Sequence, residues 1–248
     1  MSRRTTLLAG WALAITGVAL FVALGLWQSR RALDKEAVLA EAAATVADRS
    51  ANPLSVASDP ARAGRIEWAS GPGEFTDAPA LLLDNQQRGG RVGVRAYRIF
   101  QPASGGPLLV DLGWLPLPPD RTMPAVERPQ GTVTLSGLVA PPPSSGIPMG
   151  EGVHHKQGHW LLTRIDIEAI TAATELQRGL APRVLRLDPA LPIGYDRDLE
   201  VLANTLSPDK HRGYALQWFG LAVTALVIAL VLTFRRRRGS NKRDTHER

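Results

Sequence analysis

The pattern of apolar and polar positions is dominated by two uncharged runs, Thr5 to Ser29 and Gly213 to Phe234, one near each end of the chain. Each exceeds the roughly 20 apolar residues that a hydrocarbon core of about 30 Å requires. Trp27 lies near a boundary of the first run, and Tyr214 and Trp218 near a boundary of the second, where interfacial aromatics anchor a span. A cleaved signal peptide competes for the first run, since Arg3 and Arg4 resemble an n-region and Ala23-Leu24-Gly25 a small-x-small site. A signal h-region is about 7–15 residues long, well short of this run, so an uncleaved anchor is expected.

Between the runs the period changes. Arg31 to Ala47 is rich in helix formers with no Gly or Pro, so a helix should continue out of the first span and stop before Asn52-Pro53. From Arg65 onward come short β-branched or alternating stretches: Arg65–Ser70, Ala80–Asn85, Val92–Phe100, Leu108–Leu112, Thr132–Val139 and Val184–Leu187. Gly71-Pro72-Gly73, Gly89-Gly90, Gly105-Gly106-Pro107 and Pro118-Pro119 read as the breaks between them, the third as a hairpin turn. Asp166 is placed to cap a helix over Ile167–Glu175, and Pro141 to Gly146 reads as a surface loop. These elements predict one α+β domain, an antiparallel β-rich sheet inserted between two transmembrane helices.

Charge orients this arrangement. Arg235 to Arg238, with Lys242 and Arg243, follow the second span directly and should remain cytoplasmic, which puts the N-terminus inside as well. Arg3 and Arg4 agree, whereas Arg30 and Arg31 oppose. The expected segments are a cytoplasmic stub over 1–6, a first span over 7–29, a non-cytoplasmic domain over 30–209, a second span over 213–234 and a basic tail over 235–248. The net charge of +6 and pI near 10.3 arise in the flanks: residues 30–209 hold 18 basic and 21 acidic side chains, a net of −3. A nucleic-acid partner is therefore not expected. The chain has no Cys, which removes disulfides, thiolate metal sites and covalent c-type haem attachment.

Few residues suggest chemistry unaided. His154, His155 and His159 form an H-H-x-x-x-H cluster, but Gly150, Gly152 and Gly158 flank it and no zinc-protease Glu is present, so a solvated loop is favoured over a metal site. Trp68, Trp114 and Trp160 read as fillers of the sheet core, with an apolar cofactor groove as the alternative. No nucleophile elbow, P-loop or paired-carboxylate signature stands out, and no enzymatic activity is expected. His211, at the mouth of the second span, reads on physics alone as an interfacial anchor, with axial ligation of haem iron as the alternative.

Four stretches together resemble one family, the Surfeit-locus cytochrome c oxidase assembly factors, from Gly25 to about Leu221. Gly25-Leu26-Trp27-Gln28-Ser29-Arg30-Arg31 is similar to its Gly-x-Trp-Gln-x-x-Arg motif at the exit of the first span. Leu109-Val110-Asp111-Leu112-Gly113-Trp114-Leu115-Pro116 is similar to its Leu-Val-Asn-Arg-Gly-Trp-Val-Pro strand, with Asp-Leu in place of Asn-Arg. His159-Trp160 with Asp166-Ile167-Glu168-Ala169-Ile170 matches a helix entry. His211-Arg212-Gly213-Tyr214-Ala215-Leu216-Gln217-Trp218-Phe219-Gly220 matches the closing His-x-x-Tyr-Ala-x-x-Trp-Phe.

The resemblance implies a bacterial inner-membrane protein with a periplasmic main domain, since the short stub leaves no room for a mitochondrial transit peptide. It implies a non-enzymatic role in building haem-copper oxidase, receiving haem a transiently and helping it into the catalytic subunit I, with haem a synthase as a further candidate partner. It assigns His211 to haem, with Trp27, Gln28, Arg31 and Tyr214 framing the cofactor, and Asp111, Gly113 and Trp114 to partner contact. Two rivals remain: a membrane-anchored scaffold that holds the nascent oxidase subunit without carrying haem, and a membrane-tethered periplasmic hydrolase.

Overall fold

Long apolar stretches with no proline past the first helical position give two long helices among the described residues. The computed structural model describes residues 3–143, 152–156, 158–202 and 205–241. Helix α1 runs over Arg3–Asp48 and helix α3 over Pro208–Asn241, and both are long and apolar enough to cross a membrane. As expected, α1 continues well past its apolar part before the chain turns extended at Asn52–Pro53. The chain divides into two units, Met1–Ala37 with Leu206–Arg248, and Val38–Thr205.

The second unit is a sheet of nine strands: β1 (Asn52–Pro53), β2 (Glu67–Phe75), β3 (Leu81–Arg88), β4 (Arg91–Pro102), β5 (Leu108–Pro116), β6 (Val133–Ala140), β7 (Val153–Lys156), β8 (His159–Leu162) and β9 (Val184–Leu187). Their order is β1-β2-β6-β9-β5-β4-β3-β8-β7, and β2 also pairs with β4. That extra pairing closes a ring of β2, β6, β9, β5 and β4. Antiparallel pairs dominate, but β1–β2, β3–β8 and β5–β9 are parallel, so the sheet is mixed.

Alternation explains the core. Alternate residues of the ring strands, among them Ala69, Val94, Ala96, Val110, Leu112, Leu135, Val139, Leu185 and Leu187, join one buried cluster inside the ring. Outward-facing Leu81, Tyr97, Ile99, Leu109 and Val184 are covered by Ile170 of the short helix α2 (Ile167–Ala173). Val38, Ala42 and Val46 at the end of α1 pack with Ile66, Trp68 and Leu138 on another part of the outer face. Trp68 and Trp114 are buried, and Trp160 packs half-buried against the α2 side.

Two expectations need correction. Gly71-Pro72-Gly73 does not break a strand; it lies inside β2, which pairs with β6 up to Gly73 and with β4 from Gly73 onward. A Cβ on Gly73 would sit 2.3 Å from the Gln101 carbonyl oxygen, so only glycine lets β4 approach where the ring closes. The second correction concerns His154, His155 and His159, which lie on the antiparallel β7–β8 hairpin and not in a loop, with the His155 ring edge-on to Trp160 at 5.1 Å. Gly158, at φ +78, makes the turn, so glycine there signals a hairpin. The expected α2 ends at Ala173, and Asp166 caps it by accepting from the Ala169 amide at 3.1 Å. Residues 144–146 of the expected proline-rich loop lie outside the described residues.

Candidate functional site

The first unit is a pair of helices in antiparallel contact, and its seam is written in small residues. On α1 the less exposed positions include Trp11, Ala14, Val18, Phe21, Gly25, Gln28, Ala32 and Lys35; on α3 they include His211, Ala215, Trp218, Ala222, Ala225, Ala229 and Thr233. Steps of three and four residues keep one face of each helix toward the other, as in coiled-coil packing. Lipid tails are as apolar as leucine, so close backbone approach through Gly and Ala must hold such a pair. Gly25 is the tightest point, where a Cβ would lie 2.6 Å from the Phe219 ring. Phe21 stacks on Trp218 at 5.8 Å, and Trp11 Nε1 donates to Thr233 Oγ1 at 3.1 Å.

His211 occupies this seam at the end where the second apolar run begins. It is 6% exposed, and its Nδ1 lies 2.6 Å from Gln28 Oε1. This contact fixes the orientation of the imidazole through Nδ1 and leaves Nε2 as its other ring nitrogen. Beyond it, Lys35 Nζ donates to the Leu206 carbonyl at 2.6 Å, and Arg212 pairs with Glu36 at 2.5 Å. The structure thus brings together two of the five residues assigned to the cofactor. The other three sit on exposed faces of the same helix ends: Trp27 is 53% and Tyr214 42% exposed, and Arg31 is exposed.

Asp111, Gly113 and Trp114 lie in the sheet unit, on β5, and all three are buried. Asp111 receives Arg95 Nη1 at 3.1 Å and the Gly113 amide at 3.0 Å. Burial pushes its carboxyl up from the ordinary carboxylate range, while the guanidinium groups of Arg95 and Arg186 and the Gly113 amide pull it back. Gly113, at φ +114, follows a bulge in β5, and a Cβ there would lie 2.8 Å from the Asp196 carbonyl oxygen. The glycine lets the segment 195–202 cross the sheet: Tyr195 and Asp196 make backbone bonds of 2.7 Å with Leu112 and Trp114.

Sequence reasoning missed the arginines that clasp this crossing strap. Arg88 holds Asp196 at 2.7 Å and also pairs with Asp198, Arg95 reaches Asp198 at 3.8 Å, and Arg186 donates to the Glu200 carbonyl. Their signal was visible as charged residues inside apolar strands, Arg95 in Val94–Phe100 and Arg186 in Val184–Leu187. A buried cation needs a carboxylate, and Asp111 supplies one. Among the described residues no group of three or more His, Asp or Glu is placed to hold a metal ion.

A family model described as the SURF1 family matches residues 15–223 of the chain. No curated protein matches it.

Proposed function

The chain belongs to the SURF1 family, which is associated with cytochrome c oxidase assembly, and from that premise we propose that it binds haem a transiently and assists its insertion into the catalytic subunit of a haem-copper oxidase. The observation that carries this reading is the His211–Gln28 pair at 2.6 Å. A metal-ligating imidazole is commonly held by a hydrogen bond to its other ring nitrogen, which fixes the tautomer and raises its basicity. Gln28 gives His211 such a partner, and the donor chemistry fits a haem iron.

In this reading His211 would offer its imidazole to the haem iron, and Gln28 would orient the ring. Exposed Trp27 and Tyr214 offer aromatic surface beside the macrocycle, and Arg31 offers a cation to a propionate. When bound, haem would supply the redox centre that the oxidase requires; the chain's own residues only bind, orient and release. A neutral Gln acceptor strengthens the imidazole less than a carboxylate would, which suits a carrier that must surrender its cargo. The sheet unit would engage oxidase subunit I on the periplasmic side. No catalytic step is assigned, in keeping with an assembly-factor family.

A second reading, a scaffold that carries no haem, is favoured by one observation: His211 is only 6% exposed and lies in the helix seam, where a packing role suffices. The visible spectrum of the full chain purified from cells that co-produce haem a synthase separates the two. A haem a band that His211→Ala abolishes and Gln28→Ala weakens is the expected result. A wild type without haem, recovered with subunit I and indifferent to His211→Ala, would establish the scaffold.

A further inference from the structure

At the opposite end of the helix pair from His211, α1 and α3 leave a cleft of about 210 Å³ lined by Leu7, Gly10, Trp11, Ala229 and Leu232 together with Thr6 and Thr233. The gap exists because Gly10 and Ala229 are too small to fill it: a Cβ on Gly10 would meet nothing within 4 Å. Thr6, Gly10 and Leu232 are exposed, so the cleft opens sideways, away from the seam. Its polar atoms are already engaged. Thr233 Oγ1 accepts from Trp11 at 3.1 Å and donates to the Ala229 carbonyl at 2.7 Å. A cleft with an apolar lining and paired polar atoms offers little to water and suits a hydrocarbon chain.

The charge next to it is one-sided. Arg235 follows Leu232 by three residues, about 5 Å along the helix. It begins a run of four arginines, with Lys242 and Arg243 beyond and Arg3 and Arg4 at the start of α1. No carboxylate occurs before Asp34, nor between Asp209 and Asp244. A concentration of cations in the sequence at the end of a membrane helix favours a lipid phosphate, and an anionic headgroup gains more from it than a zwitterionic one, whose own ammonium offsets its phosphate.

We propose that this cleft seats one acyl chain of an anionic phospholipid, whose phosphate is held by Arg235, the first cation after the cleft. The lipid fills the gap that Gly10 leaves and clamps the two helices at the end remote from His211. This site is independent of haem binding.

The test uses the full chain, delipidated in mild detergent and titrated with phosphatidylglycerol or phosphatidylcholine bearing brominated acyl chains, with tryptophan quenching and native mass spectrometry as readouts. One phosphatidylglycerol per chain is expected, bound at least about tenfold more tightly than phosphatidylcholine. Trp11→Phe should remove the saturable quenching. Gly10→Phe should remove the single-lipid adduct while leaving loose adsorption, and replacing Arg235 to Arg238 by Gln should reduce phosphatidylglycerol to the phosphatidylcholine level. Should Gly10→Phe fail to fold, Ala229→Phe fills the same cleft from the other helix. Equal binding of the two lipids, or an adduct that survives the filled cleft, overturns the proposal.

Discussion

A buried carboxylate shows how single residues decide this fold. Asp111 stands where the family resemblance led us to expect an Asn-Arg pair, which invited a reading in terms of surface partners. Its side chain is 5% and that of Arg95 8% exposed, so the two charges neutralise each other within the sheet. Removing Asp111 leaves Arg95 buried with Asp198, at 3.8 Å, as its remaining carboxylate. Asp111→Ala should therefore destabilise the sheet unit by about 3–5 kcal/mol, and a further Arg95→Met should recover most of the loss. Thermal unfolding followed by near-ultraviolet circular dichroism measures both; a single variant as stable as wild type would show that the pair is not what satisfies Arg95. The identity of such residues was legible, but their partners were not. His211 and Gln28 were both singled out by motif, yet they are 183 positions apart, and only the register of two long helices places them 2.6 Å from each other.

At the scale of elements, strands were legible wherever a turn residue bounded an alternating run, as at Gly89-Gly90, both with positive φ between β3 and β4. They were illegible where glycine served contact instead of turning, as at Gly73 within β2, or where a strand was as short as β7 and β8. Gly25 belongs with Gly73. Gly25→Leu should press on the Phe219 ring, cost the helix pair about 1–3 kcal/mol and force the helices apart, and Phe219→Ala should relieve it. Because the chain has no cysteine, a Trp11→Cys, Thr233→Cys protein reports this directly through disulfide yield, which Gly25→Leu should lower. The 195–202 strap makes a prediction of its own. Desolvation works against the Asp198 charge, but Arg88 and the Glu200 amide outweigh it and hold the carboxyl below its ordinary range. A carboxylate depressed in the folded state adds stability above the ordinary carboxylate value, and this is lost as pH falls through the lower, folded value. From about pH 5 to about pH 3 the wild type should therefore lose more thermal stability than Asp198→Asn. Parallel slopes would mean that the strap does not depend on this charge.

For the whole molecule, length and charge carry the argument together. Helix α1, with 46 residues, extends about 69 Å, more than twice the roughly 30 Å hydrocarbon core, so only its apolar part can span. The remainder carries Val38, Ala42 and Val46, of which Ala42 is buried and the two valines half-buried against Ile66, Trp68 and Leu138. A chain so built needs both termini on one side of the membrane, and the cations flanking the spans select which. Arg3, Arg4, Arg235 to Arg238, Lys242 and Arg243 outnumber Arg30, Arg31, Lys35, Lys210 and Arg212, the cations that flank the spans on the other side. We therefore expect a fluorescent protein fused after Arg248 to fold in the cytoplasm and a phosphatase fused there to stay inactive. Replacing Arg235 to Arg238, Lys242 and Arg243 by Asn leaves Arg3 and Arg4 against that larger outer set, so the orientation should turn over and phosphatase activity should appear. If it does not, α1 alone orients the chain. The tail would then be free of any topological duty, and its concentration of arginine would call for another ligand, which is the role the lipid cleft assigns to it.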